Sequence, residues 1–295
     1  MKKIILSDSG PEISSSIYSF WRWINPADLA LDRVKEIIEF NLQLGINTFD
    51  VSPTYGNGEL SVLFGQAVKE LGIPRKNIVL ISKMGHRVLS ISGAIQYTEW
   101  SEETLNRRVG DQLQLLGTNY LDVLLIDGYD PLVSVDELAS TLKSLQIRGY
   151  IHHLGLSEFT TQQHQLLASR LPGDIVTNHI EFNLLNTRAL EDGRIHFIKE
   201  NYATPMAFSP LADGRIASGW DPLAVRVRAG LDLLTRKYQS NIEQLAVAWI
   251  NKLGATPVIG SLSTDRIKNA ATAENIELSH EDWHSLYQLT LQPAV

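Results

Sequence analysis

The chain reads as a (β/α)8 TIM barrel, and three observations predict it. Eight short β-rich runs recur along the sequence, helical patterns separate them, and no Gly/Ser/Pro-rich linker, low-complexity tract or internal repeat breaks the alternation. The expected strands are residues 15–19, 46–50, 77–82, 121–126, 151–156, 174–180, 204–208 and 256–259. Between them apolar residues fall three or four apart on one face, as in Leu31, Val34, Ile37, Ile38 and Leu42, or Leu105, Val109, Leu113 and Leu116. Regular β/α alternation argues for a parallel sheet, and eight units in 295 residues argue that the sheet closes. Residues 221–253 read as two helices inserted before the last strand, with Ile242, Leu245, Ala246 and Trp249 forming the inner face of the second. With no boundary visible, residues 1–295 are expected to form one domain.

Composition narrows the partners. The chain is 44% apolar and 20% charged, as in an ordinary globular protein, and its net charge of −7 is spread without basic blocks. Nucleic acid and anionic membranes are therefore not expected as partners. The start, Met1-Lys2-Lys3-Ile4-Ile5-Leu6, has only three consecutive apolar residues, too few for a signal-peptide core, and no later run matches a bilayer. A cytoplasmic protein is expected, as a monomer or weak homo-oligomer. The absence of cysteine excludes disulfides, thiolate nucleophiles and cysteine-based zinc sites. No metal is expected either: His152 and His153 are consecutive within a strand and point to opposite faces.

In this fold, active sites lie at the C-terminal ends of the strands. Asp50 closes the second run, Lys83 follows the third and Asp127 the fourth. Ser157 and Glu158 follow the fifth, His179 lies at the end of the sixth, and Phe208-Ser209-Pro210 closes the seventh. Polar groups thus converge on one mouth. Singly, each has an ordinary explanation: Ser157 and Glu158 as helix caps, His179 as a satisfied core histidine. Tyr55 lies just past Asp50. An ammonium held beside a phenol in a dry site stabilises the phenolate and lowers a pKa that is about 10 when free. Asp50 would fix and charge-balance Lys83, equipping the site to protonate a carbonyl oxygen as a hydride arrives. The plainer alternative is an Asp–Lys ion pair inside a barrel with a loop tyrosine, and spacing alone leaves both open. Trp21, Trp23 and Tyr129, just past strand ends, are expected to line an aromatic substrate pocket, with residues 85–100 as a partial lid or Trp100 as a packing anchor.

Several stretches together resemble the aldo-keto reductase family, most closely its bacterial oxidoreductase branch. They are Phe49-Asp50-Val51-Ser52-Pro53-Thr54-Tyr55-Gly56, Ile81-Ser82-Lys83, Tyr120 to Ile126, Leu154-Gly155-Leu156-Ser157-Glu158-Phe159, Phe208-Ser209-Pro210-Leu211 and Val258-Ile259-Gly260-Ser261. The resemblance implies a barrel that binds a reduced nicotinamide dinucleotide, usually NADPH, without a Rossmann domain, in keeping with the lack of a strand-borne G-x-G-x-x-G. It implies Tyr55 as proton donor, Lys83 and Asp50 as its tuning pair, and a small carbonyl or enone substrate. Phe208 matches the aromatic on which the nicotinamide stacks. Ser209, Pro210 and Leu211 match the loop beside the pyrophosphate. Gly260 and Ser261, with the helix start near Thr264, offer N–H groups to an anion. Arg266 and Asn269 match positions that hold the 2′-phosphate and adenine.

The sequence departs from the family at the mouth. Asp127 replaces a histidine that touches the substrate carbonyl. Glu158 and His179 replace the Asn and Gln that, with Ser157, grip the nicotinamide amide, and Ser263 replaces a lysine carried by many NADPH-using relatives. An ionised Asp127 about 4 Å from a developing alkoxide would cost roughly 4 kcal/mol at an effective dielectric of about 20. Held protonated, it would instead donate a hydrogen bond to the carbonyl. Steroid 5β-reductases of the same family carry a glutamate there and reduce an enone C=C bond, which makes alkene reduction an analogy for this chain. Glu158 and His179 are expected to pair on the carboxamide and make cofactor binding pH-sensitive. The substitutions also motivate a second reading, a weakened dinucleotide-binding barrel acting as sensor or pseudoenzyme. A third, a hydrolase using Asp127 and Glu158, leaves Tyr55, Lys83 and Phe208 without roles.

Overall fold

Parallel pairing joins eight strands edge to edge until the last meets the first. The strands are β1 (Ile17–Ser19), β2 (Thr48–Asp50), β3 (Val79–Met84), β4 (Leu121–Asp127), β5 (Ile151–Ser157), β6 (Ile175–Glu181), β7 (Met206–Phe208) and β8 (Thr256–Ile259). They follow one another in sequence order around a closed barrel, with β8 hydrogen-bonded to β1. The computed structural model describes residues 1–85, 87–89, 95–97 and 100–291. All eight expected runs form strands; β1, β2, β3 and β7 each begin two residues later than expected.

Alternation along the strands builds the interior. Ile17, Val79, Ile81, Val123, Leu125, Val176, Met206 and Val258 fill the barrel, and Leu6 and Ile13 join them from the segment around an N-terminal hairpin (Lys3–Ile5 with Glu12–Ser14). At Gly155 a Cβ would stand 2.5 Å from the Leu125 side chain and 2.7 Å from that of Thr177, so only glycine fits this layer. Continuing each strand by its period of two, the next positions are Ser19, Lys83, Asp127 and Phe208, in one layer with Asp50 of β2, at the C-terminal mouth. Register agrees: Ser19 sits beside Asp50, Asp127 beside Ser157, and Ser157 beside His179. An irregularity in β6 between Ile175 and Asn178 resets its parity, which is how His179 comes to share this layer.

Helices cover the outside. α1 (Leu31–Gln43) buries Val34, Ile37 and Ile38 on one face, and α2 (Glu59–Glu70) and α3 (Glu102–Leu116) follow it round the barrel. The insertion before β8 consists of two helices, Pro222–Tyr238 and Ile242–Lys252. In the second, Leu245, Ala246 and Trp249 are buried as expected, but so are Val247, Ala248 and Ile250, while Ile242 is only partly covered. Neighbouring helices enclose it on more than one side, and Trp249 stacks between Phe182 and Trp283 at ring distances of 5.1 and 5.0 Å. No helix among the described residues is long and apolar enough to cross a membrane.

Candidate active site

Asp50 is the hub of the mouth. It is 2% exposed and receives three hydroxyls: Ser19 Oγ and Tyr55 Oη donate to Oδ2 at 2.6 and 2.8 Å, and Ser52 Oγ donates to Oδ1 at 3.3 Å. Ser52 Oγ also accepts the Lys83 backbone N–H at 2.9 Å, tying the β2 loop to β3. Tyr55 enters a turn in which Gly56, Asn57 and Gly58 all have positive φ, before α2 begins. Burial pushes the Asp50 carboxyl up, against the pull of Lys83 and the three hydroxyls. Burial, then the Asp50 charge, pushes the Tyr55 phenol well above its usual value.

This differs from the arrangement expected of a phenol acidified by an ammonium. Tyr55 Oη is bound to Asp50, and the ion-pair partner of Lys83 Nζ is Asp127 Oδ2 at 3.9 Å. Asp127 supplies the reason: two carboxylates flank one ammonium, and the lysine stands nearer the less buried one.

His179 is 4% exposed, its ring 4.8 Å from that of Phe208, and its Nδ1 is buried without a hydrogen-bond partner. Burial first and the Lys83 charge second hold it well below the usual histidine range, so it is neutral. Tyr55, Lys83, His179, Phe208, Ser19, Trp21 and Ser209 line a cavity of about 300 Å³ at the barrel mouth. Trp21, Ser209, Asp213 and Val258 also line an adjoining crevice of about 70 Å³, which runs past Pro210, Leu211, Gly260 and Ser261 to Arg266. Arg22 pairs with Asp213 across the crevice at 2.9 Å, and Trp21 lies against Gly260, where a Cβ would stand 2.2 Å from the indole nitrogen. Ser209, Ala212 and Asp213 hold φ of 49°, 48° and 57°, a strained run of non-glycine residues in the wall of the crevice. Asn269 Nδ2 and Arg266 Nε both reach the Glu243 carboxylate, at 3.4 and 3.3 Å.

Three expected residues stand elsewhere. Glu158, at φ 58°, is exposed: its Oε1 accepts the Glu181 N–H at 2.7 Å and its Oε2 pairs with Arg194 at 3.2 Å, so it does not pair with His179. Arg194, held at once by Asp192, draws it outward. Trp23 is fully buried, its Nε1 donating to Tyr18 Oη at 3.1 Å and its ring packed on Phe20, and it is a core residue, not a pocket wall. Tyr129 packs edge-on against Phe159. Trp100 is a packing anchor, its Nε1 donating to the Gly128 carbonyl at 3.2 Å. Apart from Gly85, the Arg87–Leu89 and Ile95–Tyr97 backbone pair and Trp100, the segment expected as a partial lid lies outside the described residues. Sequence reasoning missed Ser19, Ser52, Arg22, Asp213 and Glu243. Ser19 and Ser52 follow from strand alternation about Asp50; the others meet their partners only through the closed fold.

Comparison with known proteins settles the class. The Aldo/keto reductase family profile matches residues 20–290. The chain belongs to the aldo/keto reductase family. It is 29% identical over 295 residues to the Escherichia coli (strain K12) oxidoreductase YdhF, covering 99% of this chain and 98% of YdhF. It is 30% identical over 302 residues to the 6-dehydroglucose reductase of Agrobacterium fabrum (strain C58), covering all of both. Its fold is that of the thermostable aldo-keto reductase Tm1743, solved with the inhibitor epalrestat, at a TM-score of 0.86 and 21% identity over 98% of this chain and 100% of that one. Family membership supports nicotinamide-dependent carbonyl reduction as the class of chemistry. The residues fit such a cofactor: the unpartnered, buried His179 Nδ1 beside Phe208 marks a polar-aromatic wall suited to a carboxamide-bearing ring. Among the described residues, no group of three or more His, Asp or Glu is placed to hold a metal.

Proposed function

We propose that the chain reduces a small aldehyde, ketone or enone with a reduced nicotinamide dinucleotide, NADPH in the first place, and that Tyr55 donates the proton. The observation that carries this is the cavity in which Tyr55, Lys83, His179 and Phe208 meet. The reduced nicotinamide supplies the hydride. Phe208 and His179 orient the ring, and Ser157, beside His179 in register, contributes to the same wall. Tyr55 stays protonated through the physiological range, so it carries the proton, held tightly by burial and the Asp50 charge. To deliver it, Oη turns from Asp50 towards the substrate oxygen, and the negative charge left beside Asp50 requires Lys83 Nζ to swing in from Asp127. Arg266, at the far end of the crevice, and Asn269, on the same helix and bonded to the crevice residue Glu243, are the candidates for the 2′-phosphate and adenine. The similarity to a 6-dehydroglucose reductase supports an aldehyde among the substrates to try first.

The contacts of Tyr55 and Lys83 also favour a second reading, a barrel that binds dinucleotide but turns over weakly, because the resting lysine is drawn to Asp127. Titration of NADPH by protein fluorescence, followed by dinucleotide oxidation with a panel of aldehydes, ketones and enones, separates the two. Saturable binding with substrate-dependent oxidation supports the reductase, binding without oxidation supports the weakened barrel, and no binding removes both.

A further inference from the structure

The crevice that leads to Arg266 contains two cations and two carboxylates, and they are paired. Arg22 meets Asp213 at 2.9 Å and Arg266 meets Glu243 at 3.3 Å, so no arginine lining the crevice is left without a carboxylate. Glu243 does more than neutralise. Its second oxygen accepts from Asn269 Nδ2 at 3.4 Å, so it holds both residues that the family resemblance gives to the 2′-phosphate and adenine. Its side chain is only 14% exposed, and its place is fixed. It is the second residue of the Ile242–Lys252 helix, whose Asn241/Gln244 capping box locks the first turn, and Gln244 Nε2 reaches Thr272 Oγ1 at 3.0 Å on the helix that carries Arg266 and Asn269.

We propose that Glu243 is the specificity-determining residue for the dinucleotide: it competes with a 2′-phosphate for Arg266 and Asn269, so that NADH is taken alongside NADPH. The inference rests on the reading of the crevice as the seat of the adenosine end. A phosphate brought to Arg266 meets a fixed carboxylate already on that guanidinium, and two like charges sharing one cation repel. A ribose carrying a free 2′-hydroxyl meets no such opposition, and it can donate to the carboxylate. Ser263 adds no charge to offset Glu243. The preference for NADPH that Arg266 confers is thereby narrowed, and Glu243 sets by how much.

The test is the pair of dissociation constants for NADPH and NADH, measured by protein fluorescence on the full chain, for the wild type, Glu243→Gln, Glu243→Ala and Arg266→Gln. The wild type should bind both dinucleotides. Glu243→Gln keeps the shape and removes the charge, and it should tighten NADPH relative to NADH by about tenfold, with Glu243→Ala shifting the ratio the same way. Arg266→Gln should move the ratio in the opposite direction. A ratio unchanged within about twofold in both Glu243 variants, with both dinucleotides still bound, overturns the proposal and leaves the reductase reading standing. If the wild type binds neither dinucleotide, that reading falls and the proposal falls with it.

Discussion

At the scale of single residues, charge decides where the proton of Tyr55 rests. Spacing showed that Asp50, Tyr55 and Lys83 would gather at one mouth, because strand ends and alternation are written in the sequence. It did not show which partner Oη takes, since that depends on Asp127 arriving from the next strand to hold the lysine. Replacing Asp127 by Asn should release Lys83 towards Tyr55 and raise carbonyl turnover, on the order of tenfold, in steady-state assays at saturating dinucleotide. An unchanged or lower rate would show that Asp127 does not restrain the lysine. His179 leads to a second expectation. Burial keeps its ring neutral well below the ordinary histidine range, and Glu158, which was expected to couple to it, is turned away to Arg194. Dinucleotide affinity should therefore stay constant within about twofold as pH falls from about 8 to about 6, across the range where an exposed histidine titrates. A loss of affinity through that range would show that the ring gains a proton.

At the scale of elements, the β7 loop and the segment after β1 close over the crevice. Three strained residues, Ser209, Ala212 and Asp213, place the Asp213 carboxylate against Arg22, while Trp21 seats on Gly260. The pair is exposed, so its effect on stability is small, but it spans the crevice that the proposed function gives to the dinucleotide. Arg22→Ala should accelerate dinucleotide release by about threefold to tenfold in stopped-flow displacement, with little change in unfolding. Equal release rates would mean the bridge does not restrain the dinucleotide. These contacts were hidden in the sequence because Arg22 and Asp213 are 191 residues apart, Trp21 and Gly260 further still, and they come together only when β8 pairs with β1. The same limit explains Trp23. A tryptophan just past a strand end reads as a pocket wall, yet the turn after β1 folds it inward, where Tyr18 Oη satisfies its indole N–H.

At the scale of the whole molecule, the alternation of apolar interior layers and a polar upper layer accounts for both the barrel and its mouth, and this is the part the sequence shows most plainly. Two buried histidines give the fold a pH dependence. His164, 2% exposed and packed on Phe197 with its Nδ1 unpartnered, is pushed down to about 4 by burial, and His179 is lowered as well. The unfolded chain binds these protons at pH below about 6.5 while the native chain does not, so the part of the stability they govern is fully present above that value and is lost as the pH is lowered. His164 alone should remove about 2 kcal/mol between pH 7 and pH 5, read by urea unfolding, and His164→Leu should flatten the slope. A slope unaffected by that substitution would place the lost stability elsewhere. The central claim is that a phenol at this mouth gives the proton. Its most direct measurement is the turnover of reduced dinucleotide by Tyr55→Phe beside the wild type with the best carbonyl substrate. The account predicts a fall in kcat of about 10² to 10⁴ with dinucleotide affinity retained, and a variant that keeps the wild-type rate would contradict it.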